Sequence, residues 1–600
     1  MSKKKKKSIK KKSVQRKKPV EDSLDLQEFI KYLQPLVIIL GLTLICYFPS
    51  LNNEFVNWDD PIYVTDNPLI QSFSWQNIKT LFTEEVTYNY HPFTFLSLAL
   101  NYSISGLDTG SYHLTNLVLH LANSVFVFFF VYLLFNKNII VSFVTALLFA
   151  IHPMHVESVA WVTERKDLLY TFFFVPALIA YWYYLKEKET KCLFLSGVLF
   201  IFSLLSKPAA ITLPFCLLLM DYWSHRKFTK KVILEKIPFF VLALLFAWIT
   251  FHFQADSAVK SLAEYSIFER LISASAGYLI YLVKSLFPFN LKVFYSYPNF
   301  NALPPLYDLA IPIAVILTSA VFWLFKDKHF IIFGLLFFLL NISPVIQLVS
   351  VGGAMLSERY TYVPYIGLFF IYAILFDQLI RRYNNSVIKG LAAIYVLALC
   401  FLCWNRCQVW QNSETLWTNL IEQKDARVPS FAYGLRGKYY MDNKQLNKAI
   451  SDFTQAIELK SNNILARISL GLIAFGANRH DEAISHYNIV LDTAPNNTTA
   501  LTNRGGCYTA LGQYENAVAD LRKALEIDPT SVKSYINFGS TYGLMGNYDE
   551  AIKVFSEGLK IEPNNATLNL FLGYAYRDKG DTDKAQLYIN KAKQLDLSIK

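Results

Sequence analysis

The sequence predicts an all-α protein in two parts: a polytopic membrane helical bundle of about eleven spans, followed by an α-helical solenoid. Two observations carry this reading. Of 600 residues, 53% are hydrophobic and only 17% are charged, whereas an ordinary soluble domain carries about a quarter charged residues. The long apolar runs crowd into residues 31–404, while residues 430–600 have normal polarity and repeat with a period of 34. A wholly soluble protein is excluded.

Residues 1–30 form a basic arm. Its first 20 residues hold eleven Lys and Arg and no acid, and without them the basic and acidic residues of the chain are equal in number. The excess charge is therefore a terminal feature and not a nucleic-acid-binding face. Beside a membrane it reads as a cytoplasmic anchor. The first apolar run, 33–50, lacks a small-residue cleavage site and is expected to stay as a signal anchor. Further spans are expected at 115–135, 139–152, 168–185, 192–206, 209–223, 237–253, 308–325, 330–347, 361–380 and 388–404. The segment 268–287 carries Arg270 and Lys284 and is expected at the interface. With it outside the count, the basic turns at Lys137, Lys186–Lys191, His225–Lys236, Lys326–Lys328 and Arg381–Lys389 all face the cytoplasm. Residues 51–114, 152–167, 254–307 and the stretch around 348–360 then lie outside, with the C-terminal domain. The seven cysteines sit largely in apolar runs and read as packing residues, not as a disulfide framework.

Residues 405–429 are expected to be a connector. Beyond it Gly437, Gly471, Gly505, Gly539 and Gly573 are 34 apart, as are Ala449, Ala483, Ala517, Ala551 and Ala585, and Pro495, Pro529 and Pro563. This is the tetratricopeptide (TPR) pattern, here in five repeats over 430–600. Small residues let the paired helices approach, and the proline ends the second helix. Such a solenoid presents a concave groove, usually to an extended peptide; a domain that only assists assembly is the other reading.

The residues able to do chemistry cluster in the outer segments. Asp59 and Asp60 stand side by side just beyond the first span. Carboxylates near lipid are costly, and in a partly buried site they serve as general bases. The second outer segment holds His152, His155, Glu157, Glu164, Arg165, Lys166 and Asp167. Its histidine spacing is not His-Glu-x-x-His, so no metal ligand is assigned and no cofactor is expected, with a divalent metal at His152, His155 and Glu157 as the lesser alternative. Arg165, Lys166, Lys207 and Arg359 read as cations for an anionic lipid phosphate. No phosphate-cradling glycine loop and no Gly-x-Ser-x-Gly elbow occurs in the chain.

Several segments, taken together, resemble the transmembrane and TPR-containing protein O-mannosyltransferases and their bacterial relatives. They are Asn57-Trp58-Asp59-Asp60, the stretch Tyr90–Leu119, His152 to Ala160, Leu205-Ser206-Lys207, Ser357-Glu358-Arg359-Tyr360, and Trp410-Gln411-Asn412 through Leu416. The resemblance implies the C-type glycosyltransferase fold. It also implies a polyprenyl-phosphate sugar donor, inversion at the anomeric carbon, and transfer to Ser/Thr hydroxyls of proteins held in the TPR groove. It makes Asp59 the base, with Asp60 positioning the acceptor or sharing that role, and Arg165, Lys166, Lys207 and Arg359 the donor-phosphate ligands. His91, His152, His155, Glu157, Glu358 and Tyr360 are the expected lining of the substrate pocket. The chain departs from the family pattern at His91-Pro92, where Arg-Pro is common, and at Glu164 to Asp167 and Lys207-Pro208. The implied setting is a bacterial inner membrane with the repeats in the periplasm, or an endoplasmic reticulum membrane with lumenal repeats. The alternatives are a membrane scaffold whose repeats assemble envelope or secretion complexes, and a lipid-linked sugar enzyme acting on a glycan.

Overall fold

In the computed structural model the described residues are 26–84, 86, 90–300, 303–348, 353–423 and 428–597. The basic arm up to residue 25 lies outside them. The described residues are overwhelmingly helical. The exception is a short antiparallel pairing of Tyr295–Ser296 with Ala354–Leu356.

Each of the eleven expected spans coincides with a helix, but the count of self-sufficient spans is smaller. By length and composition, five described helices can cross a membrane: Lys31–Asn52, Thr109–Leu134, Val162–Glu187, Lys230–Phe253 and Ser386–Val409. A sixth arises if Ile139–Ile151 and Pro153–Ala160, bent by 55°, are one span. Thr190–Ser206, Pro208–Trp223, Ala310–Leu324 and His329–Ile342 are shorter than the ~20 residues a lone span needs. Ile331–Phe338 of His329–Ile342 is largely buried by neighbouring helices, whereas Ala310–Leu324 buries only Ala310. His329–Ile342 crosses Tyr365–Tyr383 at Gly334 and Gly367, where an added Cβ on Gly334 would lie 2.5 Å from the Gly367 carbonyl oxygen. Ile267–Lys284 begins with a Ser266–Glu269 capping box, buries Ile272, Tyr278 and Tyr281 on one face, and stands outside the set of long apolar spans.

The first outer segment is structured: it holds the helices Trp75–Thr83 and Pro92–Ser105. The connector is not a tether. Ser413–Ile421 is helical, and Trp410, Leu416, Trp417 and Leu420 join the same hydrophobic core that begins at Ile39 in the first helix. That core continues to Ala432 in the first repeat, so bundle and solenoid are packed together.

Five helix pairs follow, from Ser430–Asp442 with Leu446–Leu459 to Ala566–Lys579 with Thr582–Leu595. The periodic glycines lie at the crossing within each pair. A Cβ on Gly471 would come within 2.6 Å of the Tyr487 ring, and one on Gly505 within 2.7 Å of Leu521. A side chain there would push into the facing side chain of its partner helix, which is why the period is so strict.

Candidate active site

Asp59 is held in place by its neighbours. The Asp60 carboxylate accepts from the Val56 backbone N–H at 2.8 Å, from the Thr163 N–H at 3.1 Å and from the Thr163 hydroxyl. This ties the loop after the first helix to the second outer segment. Asn57 donates to the Leu435 carbonyl at 2.7 Å and accepts from the Trp417 indole at 2.7 Å, tying the loop to the connector and first repeat. Trp58 stacks on Trp161 at 4.7 Å, and Trp161 stacks on Trp410 at 5.2 Å. Between these anchors the Asp59 side chain accepts no hydrogen bond from any described residue, while its backbone carbonyl receives the Tyr63 N–H at 3.0 Å.

Facing Asp59 is a dense ion cluster. Glu164, fully buried, pairs with Lys166 at 2.9 Å, with Arg359 at 3.4 Å and with Lys207 at 3.7 Å. Asp167 takes Lys207 at 2.5 Å and the Ser158 hydroxyl at 3.1 Å. Glu157 accepts from the Arg359 backbone N–H at 3.0 Å and from its guanidinium. Three cations thus meet three paired carboxylates, and Asp59 is the carboxylate left over. Each ammonium has three donors and the guanidinium five, so the cations keep capacity for a further anion. Burial pushes the Asp59 carboxyl above the ordinary range. Lys166 opposes this, Glu164 reinforces it and Arg359 opposes it. Burial also holds His91 neutral, down to about 3, with Lys166 and Lys207 adding to the effect. The His91 Nδ1 is buried without a partner among the described residues.

Two cavities meet at this point. One, of about 520 Å³, opens toward the bundle and is lined by Asp59, Tyr63, His91, Glu164, Lys166, Lys207, Arg359 and Tyr360, with an apolar wall that includes Ile211, Phe251 and Val345. The other, also about 520 Å³, opens toward the repeats and is lined by Trp58, Asp59, Trp161, Phe294, Arg359, Tyr360, Phe431, Leu435 and Leu465. Asp59, Arg359 and Tyr360 line both.

Of the residues singled out in the sequence, Asp59, Lys166, Lys207, Arg359, His91 and Tyr360 come together here. The others lie elsewhere. Asp60 is only 1% exposed, and its oxygens are occupied by Val56 and Thr163. It braces Asp59 and reaches neither cavity. Arg165 turns away into the protein. Its guanidinium donates to Asn116 at 2.8 Å, to the Ser97 carbonyl at 3.1 Å, to the Tyr112 carbonyl at 3.0 Å and to Asn101, so it rivets three segments and lines neither cavity. His152 and His155 are enclosed by Phe149, Tyr362, Tyr365 and Phe369 and line neither cavity. Glu157 positions Arg359. Glu358 is locked to Arg406 at 2.8 and 3.1 Å and receives the Tyr295 hydroxyl at 3.3 Å. Burial raises its carboxyl to about 7. The sequence places Asp167 in the charged cluster of the second outer segment, but does not single out Trp58, Trp161 and Tyr63 as cavity walls. The tryptophans stand inside the very motifs that hold Asp59 and Arg165, and that adjacency was the available signal.

Tetratricopeptide repeat models match residues 435–498, 496–564 and 544–596. Beyond the repeats, the chain is 26% identical over 450 residues to the protein O-mannosyl-transferase F38B6.6 of Caenorhabditis elegans, covering 71% of this chain and 62% of that protein. That alignment is far longer than the repeat array and so takes in the bundle. These relatives support placing the chain with the protein O-mannosyl-transferases. Human TMTC3, a protein O-mannosyl-transferase, is 38% identical over 159 residues, 25% of this chain and 17% of that protein. The chain therefore spans under two thirds of the length of these curated relatives. Among solved structures, the TPR protein YrrB matches at 22% identity and a TM-score of 0.26, over 30% of this chain and 92% of that chain.

Proposed function

We propose that this membrane protein transfers a mannose-like sugar from a polyprenyl-phosphate carrier to Ser/Thr hydroxyls of proteins, on the non-cytoplasmic side and with inversion. The observation that carries the proposal is that Asp59 is the one carboxylate shared by the two cavities and left unpaired by the adjacent cations. The bundle-side cavity suits the donor. Lys166, Lys207 and Arg359 face the phosphate, the apolar wall takes the first isoprene units, and neutral His91 offers hydrogen bonds to sugar hydroxyls without adding charge. The repeat-side cavity suits the acceptor chain.

In this reaction the acceptor hydroxyl oxygen forms a bond to the anomeric carbon from the face opposite the phosphate. Asp59 takes the hydroxyl proton as the bond forms, a role worth about 10²–10⁴ in rate. The bond from the anomeric carbon to the phosphate oxygen breaks, and its electron pair leaves on the polyprenyl phosphate. The three cations stabilise that departing charge in a site screened from water. The Asp59 carboxyl, raised by burial, is a better base than an ordinary one. The repeats raise the local concentration of acceptor at the cavity mouth.

The test uses purified full-length chain in detergent with a panel of radiolabelled polyprenyl-phosphate sugars and a Ser/Thr-rich acceptor protein. Transfer by the wild type and not by Asp59→Asn supports the proposal and names the donor. Absence of transfer from every donor, by protein that is folded and still binds peptide, overturns it in favour of a scaffold.

A further inference from the structure

One short helix meets the supports of both Asp59 and Arg359. The connector helix Ser413–Ile421 turns about 100° per residue, so its side chains leave on distinct sides. Ser413 and Trp417 share one side and meet the Asp59 loop. The Asn57 backbone N–H donates to the Ser413 hydroxyl at 2.9 Å, and the Trp417 indole donates to the Asn57 side-chain carbonyl at 2.7 Å. Glu414 and Thr418 share the next side and meet the first repeat. The Tyr440 hydroxyl donates to Glu414 at 3.0 Å, and Arg436 donates to the Thr418 hydroxyl at 3.1 Å. Asn419 leaves on another side, where its carbonyl takes the Arg406 guanidinium at 3.5 Å and the Gln423 amide at 3.2 Å. Leu416 and Leu420 fill the remaining side and are fully buried.

The Asp59 loop leans on this helix and on its flanks. The Glu54 N–H donates to the Gln411 carbonyl at 2.8 Å, the Asn53 amide to the Cys407 carbonyl at 3.3 Å, and the Asn57 amide to the Leu435 carbonyl at 2.7 Å. Asn57 thus commits its backbone N–H, its amide and its side-chain carbonyl to residues 413–435, two positions before Asp59. The Arg359 turn leans on the other side of the same helix. Glu358, one position before Arg359, is fully buried and takes Arg406 through both oxygens, at 2.8 and 3.1 Å. The Arg406 guanidinium also reaches the Leu291 carbonyl at 3.5 Å, which the Gln423 amide meets at 3.2 Å. Asn57, Trp417, Glu358 and Arg406 line neither large cavity. Whatever they do for Asp59 and Arg359 they do by holding them in place.

From this juxtaposition we infer that the connector helix sets the separation of Asp59 from Arg359, with Asn57, Trp417, Glu358 and Arg406 as positioning residues, and that the site is complete only while the first repeat is seated on the bundle. A base and a phosphate ligand carried on separate loops need a common support, because an error of about 1 Å between reacting groups costs about a hundredfold in rate. The first repeat steadies that support through Arg436, Tyr440 and the Leu435 carbonyl. It therefore belongs to the site as a structural member, besides presenting an acceptor. The chemical roles of Asp59 and Arg359 rest on the function proposed above; their shared support does not.

The test reads geometry and turnover separately, both on the full-length protein in detergent. Hydrogen exchange followed by mass spectrometry reports on the loop 53–60 and the turn 357–361. Trp417→Phe keeps a ring in the core and loses the indole N–H. It is expected to quicken exchange in both segments by about tenfold, the equivalent of one hydrogen bond, and to leave the helix Arg165–Glu187 and residues 498–595 unchanged. Glu358→Gln, made at the other end of the support, is expected to quicken both segments as well. Quickening confined to the segment nearest each substitution would reveal two separate braces and overturn the inference, as would no change in either. In the transfer assay, Trp417→Phe and Asn57→Ala are each expected to lower kcat by about 10–100-fold with the donor KM within about twofold. The double variant should be no slower than Asn57→Ala alone, because both changes remove the same bond, whereas independent sites would multiply. A change in KM alone, or losses that multiply, also overturns the inference. If the two segments respond together while the wild type transfers no sugar from any donor, the glycosyltransferase reading falls and the shared support stands.

Discussion

Two of the buried ion clusters among the described residues of the bundle differ in what their charges are left to do. One is the cluster of Glu157, Glu164, Lys166, Asp167, Lys207 and Arg359 at the junction with the repeats. The other joins Asp221 to Lys236 at 2.6 Å and Arg226 to Glu235 at 2.8 Å, with the Tyr181 hydroxyl on Asp221 at 2.8 Å and the Tyr184 hydroxyl on Glu235. Both touch the helix Arg165–Glu187, near its two ends, about 24 Å apart at 1.5 Å per residue. The second cluster is balanced and closed: two cations meet two carboxylates, and tyrosine hydroxyls take remaining acceptor sites. None of its four ionic groups lines either large cavity. The first is balanced too, but it abuts a cavity and an extra carboxylate. Charge density alone therefore does not mark a site in this protein; an unpaired member facing a cavity does.

Substitutions that exchange the fates of the two clusters test this contrast. Asp59→Asn is expected to lower transfer by about 10²–10⁴ and to leave the melting temperature unchanged, because no hydrogen bond from a described residue ends on that carboxylate. Parallel assays of turnover and thermal unfolding check both halves. Lys236→Met should do the reverse. It takes the nearer cation from the buried Asp221, which keeps Arg226 at 3.3 Å, and is expected to cost about 3 kcal/mol of stability, the low end for a broken buried pair. The kcat/KM of the protein that remains folded should stay within a few-fold of wild type. Activity lost without stability in Lys236→Met would place that cluster in the chemistry and end the distinction.

Arg359 is the member that belongs to both descriptions, since it holds Glu157 and Glu164 and lines both cavities. Arg359→Lys keeps the charge but loses the planar fork that spans two carboxylates and leaves a donor over. A fall in kcat of about 10–100-fold is expected, with a smaller loss of thermal stability. Equal kcat with only KM changed would show that the guanidinium binds the ground state and gives no extra support to the departing phosphate.

How much of this could be read from the residues differs between the two halves. The repeats were readable to the position, because Gly437, Gly471 and their successors sit where no side chain fits. The helices of the bundle were readable as apolar runs, but not their roles as lone spans, since an apolar run does not say whether lipid or a neighbouring helix covers it. Within the site, Asp59 and its cations emerged from their place at a membrane boundary. Arg165 did not separate from Lys166, although consecutive residues opening a helix point about 100° apart: Lys166 faces the cavity, and Arg165 faces Asn101 and Asn116. His152 and His155 looked like pocket residues because their aromatic enclosure is built from Phe149 and from Tyr362, Tyr365 and Phe369, the last three more than two hundred positions away. The Asp221–Lys236 cluster read only as a basic loop, since Asp221 ends one apolar helix and Lys236 lies inside the next.

Asp60 supplies the finest test, because it neighbours the open site yet is built like the closed one. Burial raises its carboxyl to about 6, against the hydrogen bonds from Thr163 and Val56 that pull it down. A carboxyl whose folded value lies above its unfolded one binds its proton more tightly in the folded protein. Its contribution to stability is therefore fully present below about pH 4 and is lost as the pH rises through about 6. Between pH 5 and 7 the wild type should lose about 1.4 kcal/mol relative to Asp60→Asn, read as the pH dependence of the difference between their unfolding free energies. The difference isolates Asp60 from Glu358, whose carboxyl is raised to about 7 and shifts stability in the same direction in both proteins. A difference that stays flat across this range would mean that Asp60 is already ionised and solvated in the folded protein. It would then belong with Asp59 at the open cavity and not with the braces that hold it.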